Sequence, residues 1–497
     1  SGGRKSLNLN ESDFVNFSGN IAFALSDENV NSNADLNGHA LNLNSIDFSR
    51  ANVKRIFGAA SYSGAVTQNI VKAAGCNNGA NVEIRGGHSY KGKAEGNIVN
   101  ITASKVDTVL GGSSRNGIAD KNKVVIRSNE QKASEVRVVH GGRTWFSNRG
   151  ANGNEVQVVG SHAFWIYGGE SQGGSVSGNK VTLSSDGKNK SLARGVFGGK
   201  SRNGTKADVN GNEVSIIGSD VEESHEVDSG VFGGRAEFGN ANQNKVSISS
   251  DGKNRSIINS NVYGADSTGT NIFGQTPSQA NKNEVKIIGS VVNGDVFGAN
   301  SVFGSTNENT VSIASDGTNR SKVKNVYGGK SGANAATKNA VKVANSDVNG
   351  DIYGGYSEDA DAKGNSITIE ETNVEGSVYG GYSKNGDASD NTLNFNSGKV
   401  KDFLYGGYSE NKNVSGNTIN IKGGNLAKTG IYGGRALSGD ASDNAVNISG
   451  GDMAERIFGA RASKKAQKNS VTIEGGNFVQ GDYGETSIFG ARGDEQA

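Results

Sequence analysis

Hydrophobic and polar positions alternate with a period of two over short stretches, and the same stretches return along the whole chain. One phrase has the form Asn-x-aliphatic-x-apolar: "NIVNI", "NKVVI" and "NEVQV" early, "NSITI", "NTLNF", "NTINI", "NAVNI" and "NSVTI" late. In "NTINI", Ile419 and Ile421 fall on one side of an extended strand, Thr418 and Asn420 on the other. A second phrase, "VYGGYS" at 378–383, joins an aromatic residue to Gly-Gly, a variable polar site and a small residue. Apolar spacing of two predicts strands and excludes helical repeats.

The first Gly of the second phrase stands at 58, 86, 111, 141, 168, 198, 233, 264, 298, 328, 354, 380, 406, 433, 459 and 490. Self-similarity at this period signals a solenoid, a propeller or an array. A propeller blade needs four strands in about 40 residues, and these units are too short for that. Leucine-rich repeats require Leu at fixed positions, and the glycine-rich calcium-binding nonapeptide is absent. The pattern therefore predicts an all-β chain folded as a parallel β-helix of about 16 or more coils. Its coils of 25–35 residues are expected to be right-handed by the crossover rule. At about 4.8 Å per coil this is a rod of roughly 75–80 Å. Residues 1–38 repeat poorly and are expected to cap the open edge or form irregular first coils, with the repeat domain running over 39–497.

Stacking gives each position a meaning. Identical Asn side chains one strand spacing apart can form an amide ladder. In "VYGGYS", Tyr379, Gly381 and Ser383 are expected to share the interior face. The site between the last two should face solvent; across the repeats it holds His88, Arg143, Glu170, Lys200, Arg235, Asp266, Lys330, Tyr356, Tyr382, Tyr408, Arg435, Arg461 and Arg492. A second period appears in "SSDGKNKS" (184–191), "SSDGKNRS" (249–256) and "ASDGTNRS" (314–321), which predicts alternating long and short turns. Insertions stand at 219–230 and 265–283.

Candidate chemistry is sparse. Gly169-Glu170-Ser171-Gln172-Gly173 matches a nucleophile-elbow pattern, but that elbow needs a strand-to-helix turn, and the match falls out of the repeat register. The loop with Asp220, Glu222, Glu223, His225, Glu226 and Asp228 offers carboxylates for a cation or for acid–base work, but its irregular spacing reads first as a solvated loop. The five His are scattered without metal-ligand spacing, so neither metal nor cofactor is expected. Arg492-Gly493-Asp494 matches the integrin-binding tripeptide, yet Arg492 holds a site already held by Arg435 and Arg461. Trp145 and Trp165, one coil apart, either stack on a sugar ring or fill a widened core. The column Tyr356, Tyr382, Tyr408, leading to Arg435 and Arg461, has the composition of an interface.

Composition sharpens the class. The 497 residues include 75 Gly, 1 Pro, 1 Cys and 1 Met, with a formal net charge of +1. Near-absence of Pro fits backbone N–H groups needed in ladders. The charge gives no reason to expect nucleic acid or an acidic membrane surface. One cysteine, Cys76, makes no internal disulfide and fits export in an unfolded state. No apolar run approaches a membrane span. The chain opens on "SGG" and stops within a repeat phrase, which reads as a piece of a longer protein.

The phrases "VYGGYS", "GDAS", "NTLNF" and the "SG" after them resemble the repeats of large autotransporter (type V secretion) adhesin passenger domains, especially of the fusobacterial outer-membrane type, over residues 58–497. The resemblance implies a β-helical stalk secreted through its own C-terminal outer-membrane barrel, which is not in this sequence. It implies display on a Gram-negative cell surface and non-enzymatic attachment to a protein or glycan of host cells or other bacteria. The family includes proteases, whose catalytic phrases are not found here. The alternative is a β-helical polysaccharide lyase or glycosidase. That chemistry needs converging carboxylates or an acid beside Arg/Lys, whereas the carboxylates here are dispersed at turns.

Overall fold

The computed structural model describes residues 6–10, 18–26, 35–48, 52–77, 81–146, 148–202, 207–224, 229–269, 277–453, 456–478 and 487–494. Among them there is no α-helix, and parallel strands stack coil on coil as a β-solenoid of the parallel β-helix class. The chain divides into two compact units, Ser1–Ile257 and Ile258–Ala497. Within the stretch expected to cap, Ser6–Asn10 pairs in register with Ala40–Asn44, and Ser18–Ser26 runs parallel to Asn52–Ser61.

Each coil contributes three faces. The Asn-led phrase forms one face, running from Ser6–Asn10 to Lys245–Ser249 in the first unit and from Glu284–Ile288 to Ser470–Ile473 in the second. The aromatic-Gly phrase forms the opposing face, and two-residue strands such as Ala388–Ser389 close the corner. Along the Asn-led face registers are unshifted: Leu393 lies on Ile419, and Ile419 on Val446. Identical positions therefore stack into columns. The alternation assigned from sequence holds here, with Ile419 and Ile421 buried and Thr418 and Asn420 on the outer side. Each fully buried Val or Ile contributes about 1.5–3 kcal/mol.

The leading Asn is buried, not merely at a turn. Asn391 Nδ2 donates to Asn417 Oδ1 at 2.9 Å, the Asn391 backbone N–H donates to the same oxygen at 3.1 Å, and Nδ2 also donates to the Ala362 carbonyl at 2.9 Å. The motif repeats without a break from Asn69 to Asn244 in the first unit and from Asn283 to Asn469 in the second. A buried amide left unpaired costs about 1–3 kcal/mol, so burial in every coil is tolerable only because the ladder is continuous. The residue before each Asn takes the left-handed conformation, as Lys121 at φ 55°, Asp390 at φ 57° and Gly416 at φ 65°. That turn aims the amide inward.

The ladder explains the Gly-Gly. A Cβ on Gly199 would stand 2.7 Å from Asn212 Cγ, and one on Gly111 would stand 2.6 Å from the Gly141 carbonyl oxygen. One Gly makes room for the amide and the other for the next coil's backbone. The Ser that ends the phrase closes the following turn: Ser383 Oγ accepts from Gly386 N–H at 2.8 Å and donates to the Ala360 carbonyl at 2.7 Å.

Two expectations about this phrase are corrected. Val378, not Tyr379, fills the core; Tyr379 stands on the other face of the strand, partly buried and stacked on Tyr353 at 4.8 Å. Pairing runs from Tyr379 directly to Gly381 and skips Gly380, so the strand bends there and strict alternation fails. The variable site is also not uniformly solvated: Glu170 and Lys200 are 2 % and 1 % exposed.

The alternating long turns stack on each other across the short turn between them. Lys253 Nζ donates to the Gly187 carbonyl at 2.9 Å, and Lys190 Nζ to that of Arg255 at 2.8 Å. Gly160, at φ 56°, lies under the Asp186 carboxylate, where a Cβ would stand 2.5 Å from its carboxyl carbon. A second buried row runs through Ser104, Ser134, Ser161 and Ser191, each backbone N–H donating to the next hydroxyl. Cys76 occupies the same slot one coil earlier, its N–H donating to Ser104 Oγ at 3.0 Å, and burial pushes its thiol pKa up.

Candidate ligand-binding surfaces

In the second unit the register places Lys330, Tyr356, Tyr382, Tyr408, Arg435, Arg461 and Arg492 in one column on the outside of the aromatic face. Tyr356 and Tyr382 stack at 4.8 Å with planes 4° apart, and Tyr382 and Tyr408 at 5.2 Å and 7°. Beside them the aromatic slot forms a second stack: Tyr327, Tyr353, Tyr379, Tyr405, Tyr432, Phe458 and Phe489, at 4.8–5.3 Å. The columns meet edge to face, Tyr379 on Tyr382 at 5.5 Å and 87°. Such edge-to-face packing adds about 0.5–1.5 kcal/mol per pair beyond buried area. The outer tyrosines are thus mounted on the inner ones, half-buried, each presenting its remaining surface outward.

The charges around the column are cationic at both ends and acidic along one flank. Lys330 Nζ stands 5.4 Å over the Tyr356 ring, and the Arg435 guanidinium 5.4 Å over Tyr432. The Tyr382 hydroxyl donates to Glu410. Burial first, then that carboxylate, push the Tyr382 phenol far above its ordinary value. Burial raises the Tyr356 and Tyr408 phenols as well.

The first unit carries a different surface. Its aromatic slot begins with Phe57 but then holds Arg85 and Leu110; His140, stacked on Tyr167 at 4.8 Å, resumes the row with Phe197 and Phe232. Where the rings are missing, an open depression of ≈ 450 Å³ forms; Arg55, Glu83, Arg85, Arg115, Trp145 and Phe146 are among its lining residues. Arg85 lies at its floor, 7 % exposed, ion-paired to Glu83 and 2.9 Å from His88 Nδ1. Its guanidinium stands 5.0 Å from the Trp145 ring, and that of Arg143 stands 4.8 Å from the same ring.

Trp145 and Trp165 therefore differ. Trp145 walls the depression, while Trp165 is 8 % exposed and buried in its strand. The structure does not bring them into one aromatic platform. Behind Trp145, Glu170 is held by Arg202 Nε at 2.7 Å and Arg143 Nε at 3.0 Å, with His140 Nδ1 at 3.4 Å. Burial first, then Arg143 and Arg202, push the His140 pKa well down, so the ring is neutral.

The remaining motifs fall into place as parts of the repeat. Ser171 of the elbow-like pattern is buried, accepting from Gly174 N–H at 2.8 Å and donating to the Arg149 carbonyl at 3.1 Å. Asp220 pairs with Lys190 at 3.0 Å; His225, Glu226 and Asp228 lie outside the described residues. Among the described residues no group of His, Cys, Asp and Glu is placed to hold a metal ion. Arg492 continues the register of Arg461. Sequence reasoning located the tyrosine column but missed Arg55, Arg85, Arg115 and Phe146. The available signal was the interruption of the aromatic slot at Arg85 and Leu110. Comparison with known proteins finds no matching family model, no matching curated protein and no matching solved structure.

Proposed function

We propose that this chain is a non-enzymatic adhesive stalk, a piece of an autotransporter passenger domain displayed on the outer face of a Gram-negative bacterium. In this reading it attaches to a protein or glycan on host cells or other bacteria, and the full-length protein ends in an outer-membrane barrel. The repeat phrases support the class by resemblance. The observation that carries a binding role is the Tyr356–Tyr382–Tyr408 column continuing into Arg435 and Arg461 at one register. Tyr and Arg are the side chains most enriched at binding hot spots. Here they are pre-ordered by stacking, so little side-chain entropy is lost on contact.

The test is adhesion of chain-coated beads to epithelial cells and to partner bacteria. Tyr356→Ser, Tyr382→Ser and Tyr408→Ser combined should abolish most attachment while leaving the fold in place, since other coils hold Lys or Arg at that site. Undiminished attachment by the folded triple variant, or depolymerisation of polysaccharide by the purified chain, overturns the reading.

A further inference from the structure

The depression in the first unit is a departure from an otherwise periodic wall. A regular coil would place an aromatic ring in the slot of Arg85, stacked on Phe57. Instead a guanidinium stands there, and Trp145 and Phe146, from the turn after a later strand, cover its flank. The buried cation is held in place by Glu83, by His88 Nδ1 at 2.9 Å and by Ser113 Oγ at 3.3 Å.

Charge in the depression is unbalanced. Arg55, Arg85 and Arg115 line it against Glu83 alone. His88 does not add a charge: burial first, then Arg85 and Arg55, push its pKa down to about 3. Arg143 stands behind, although Glu170 takes up its charge. Alongside, Phe146 is 67 % exposed, an apolar ring standing in water with the Arg115 guanidinium 5.0 Å from its centre. Tyr90 flanks Arg115 on the other side, also at 5.0 Å.

A site of this kind wants one anionic group and one flat apolar surface. Guanidinium forks bind carboxylate and sulfate oxygens in pairs. Aromatic walls with a few placed polar groups are typical of sites for small organic ligands. Nucleic acid would offer an anion and a ring too, but its affinity grows with a track of phosphate contacts. The arginines here converge on one spot. We propose that this depression binds an acidic sugar residue of a glycan, its carboxylate or sulfate seated among Arg55, Arg85 and Arg115 and its apolar C–H face on Phe146. The site belongs to the first unit and does not depend on the tyrosine column.

Titration calorimetry and tryptophan emission of the full chain test this, because Trp165 is buried and Trp145 reports on the site. The probes are a heparin hexasaccharide, hexagalacturonate, neutral maltohexaose and an oligothymidylate. One or both acidic hexasaccharides should bind and shift the emission, with maltohexaose at least about tenfold weaker. Which acidic probe binds decides between sulfate and carboxylate. Arg115→Ala and Phe146→Ala, both at exposed positions, should each weaken binding about tenfold with an unchanged Tm. The Tyr356, Tyr382 and Tyr408 triple variant should bind like the parent, which separates this site from the adhesive column. Binding of neither acidic probe, equal binding of maltohexaose, tighter binding of the oligothymidylate, or undiminished binding by both single variants overturns the proposal.

Discussion

Gly381 faces Asn391 so closely that a Cβ on the glycine would stand 2.5 Å from the amide carbon. The amide cannot retreat, because it accepts from Asn365 Nδ2 at 2.9 Å and donates to Asn417 at 2.9 Å. Gly381→Ala should therefore destabilise the second unit by about 2–4 kcal/mol through overpacking. Lys384→Ala, exposed in the next turn, should cost less than about 0.5 kcal/mol. Chemical denaturation of both variants measures the contrast.

Two asparagines in neighbouring coils should respond very differently to truncation. Asn391→Ala removes the acceptor for both the backbone N–H and Nδ2 of Asn365 in a dry interior. A loss of about 3 kcal/mol or more is expected. Asn420 belongs to an outer, half-buried row, bonded to Asn394 and Asn447 at 2.9 Å. Water replaces those bonds, so Asn420→Ala should cost less than about 1 kcal/mol. Thermal melts that rank the two in the opposite order would place the ladder outside.

Side-chain alternation gives a third contrast within one strand. Ile421→Asp buries an unpaired charge in the column formed with Phe395 and Ile448, at a cost of several kcal/mol. Thr418→Asp, on the outer side, should cost under about 1 kcal/mol. Equal losses in Tm would disprove the register.

The stacked phenols set a limit at alkaline pH. Tyr379 is pushed up to about 12, by burial first and then by the Asp351 carboxylate. Tyr353, Tyr382 and Tyr405 are raised further, also chiefly by burial. An unfolded tyrosine ionises near pH 10. Between pH 10 and 12 the unfolded chain thus releases protons that the folded chain keeps, and stability falls as pH rises. The contribution is fully present below pH 10. Spectrophotometric titration should show these phenols ionising late and together with loss of β-sheet circular dichroism. Early, non-cooperative ionisation with the fold intact would refute it.

The fold was legible because one coil repeats. Asn-x-Ile-x-Ile fixes a straight strand, and period two then assigns Ile419 and Ile421 inward. The column of Tyr356, Tyr382 and Tyr408 was legible for the same reason, since equal coil lengths put them at one register. Period two failed in "VYGGYS" because the skip at Gly380 changes which side the next residue faces. The true pairing signal was that the second Gly of the phrase and the leading Asn recur together from coil to coil, one to clear the other. The depression around Arg85 was hidden because it is built from exceptions: a cation in an aromatic slot, and Trp145 and Phe146 from a turn outside the repeat phrase.

The asparagine ladder has a direction. From Asn283 through Asn444, each Nδ2 donates one hydrogen to the Oδ1 of the following coil, so along the amide row every Oδ1 accepts from the coil before it. Cutting this row between two coils would leave unlike ends, an amide N–H donor without its Asn oxygen on one side and an Asn oxygen without its donors on the other. Only head meets tail. Growth by adding coils therefore has a grain: each finished coil offers its successor a donor already aimed, so a chain laying down coils in order meets a prepared template at every step.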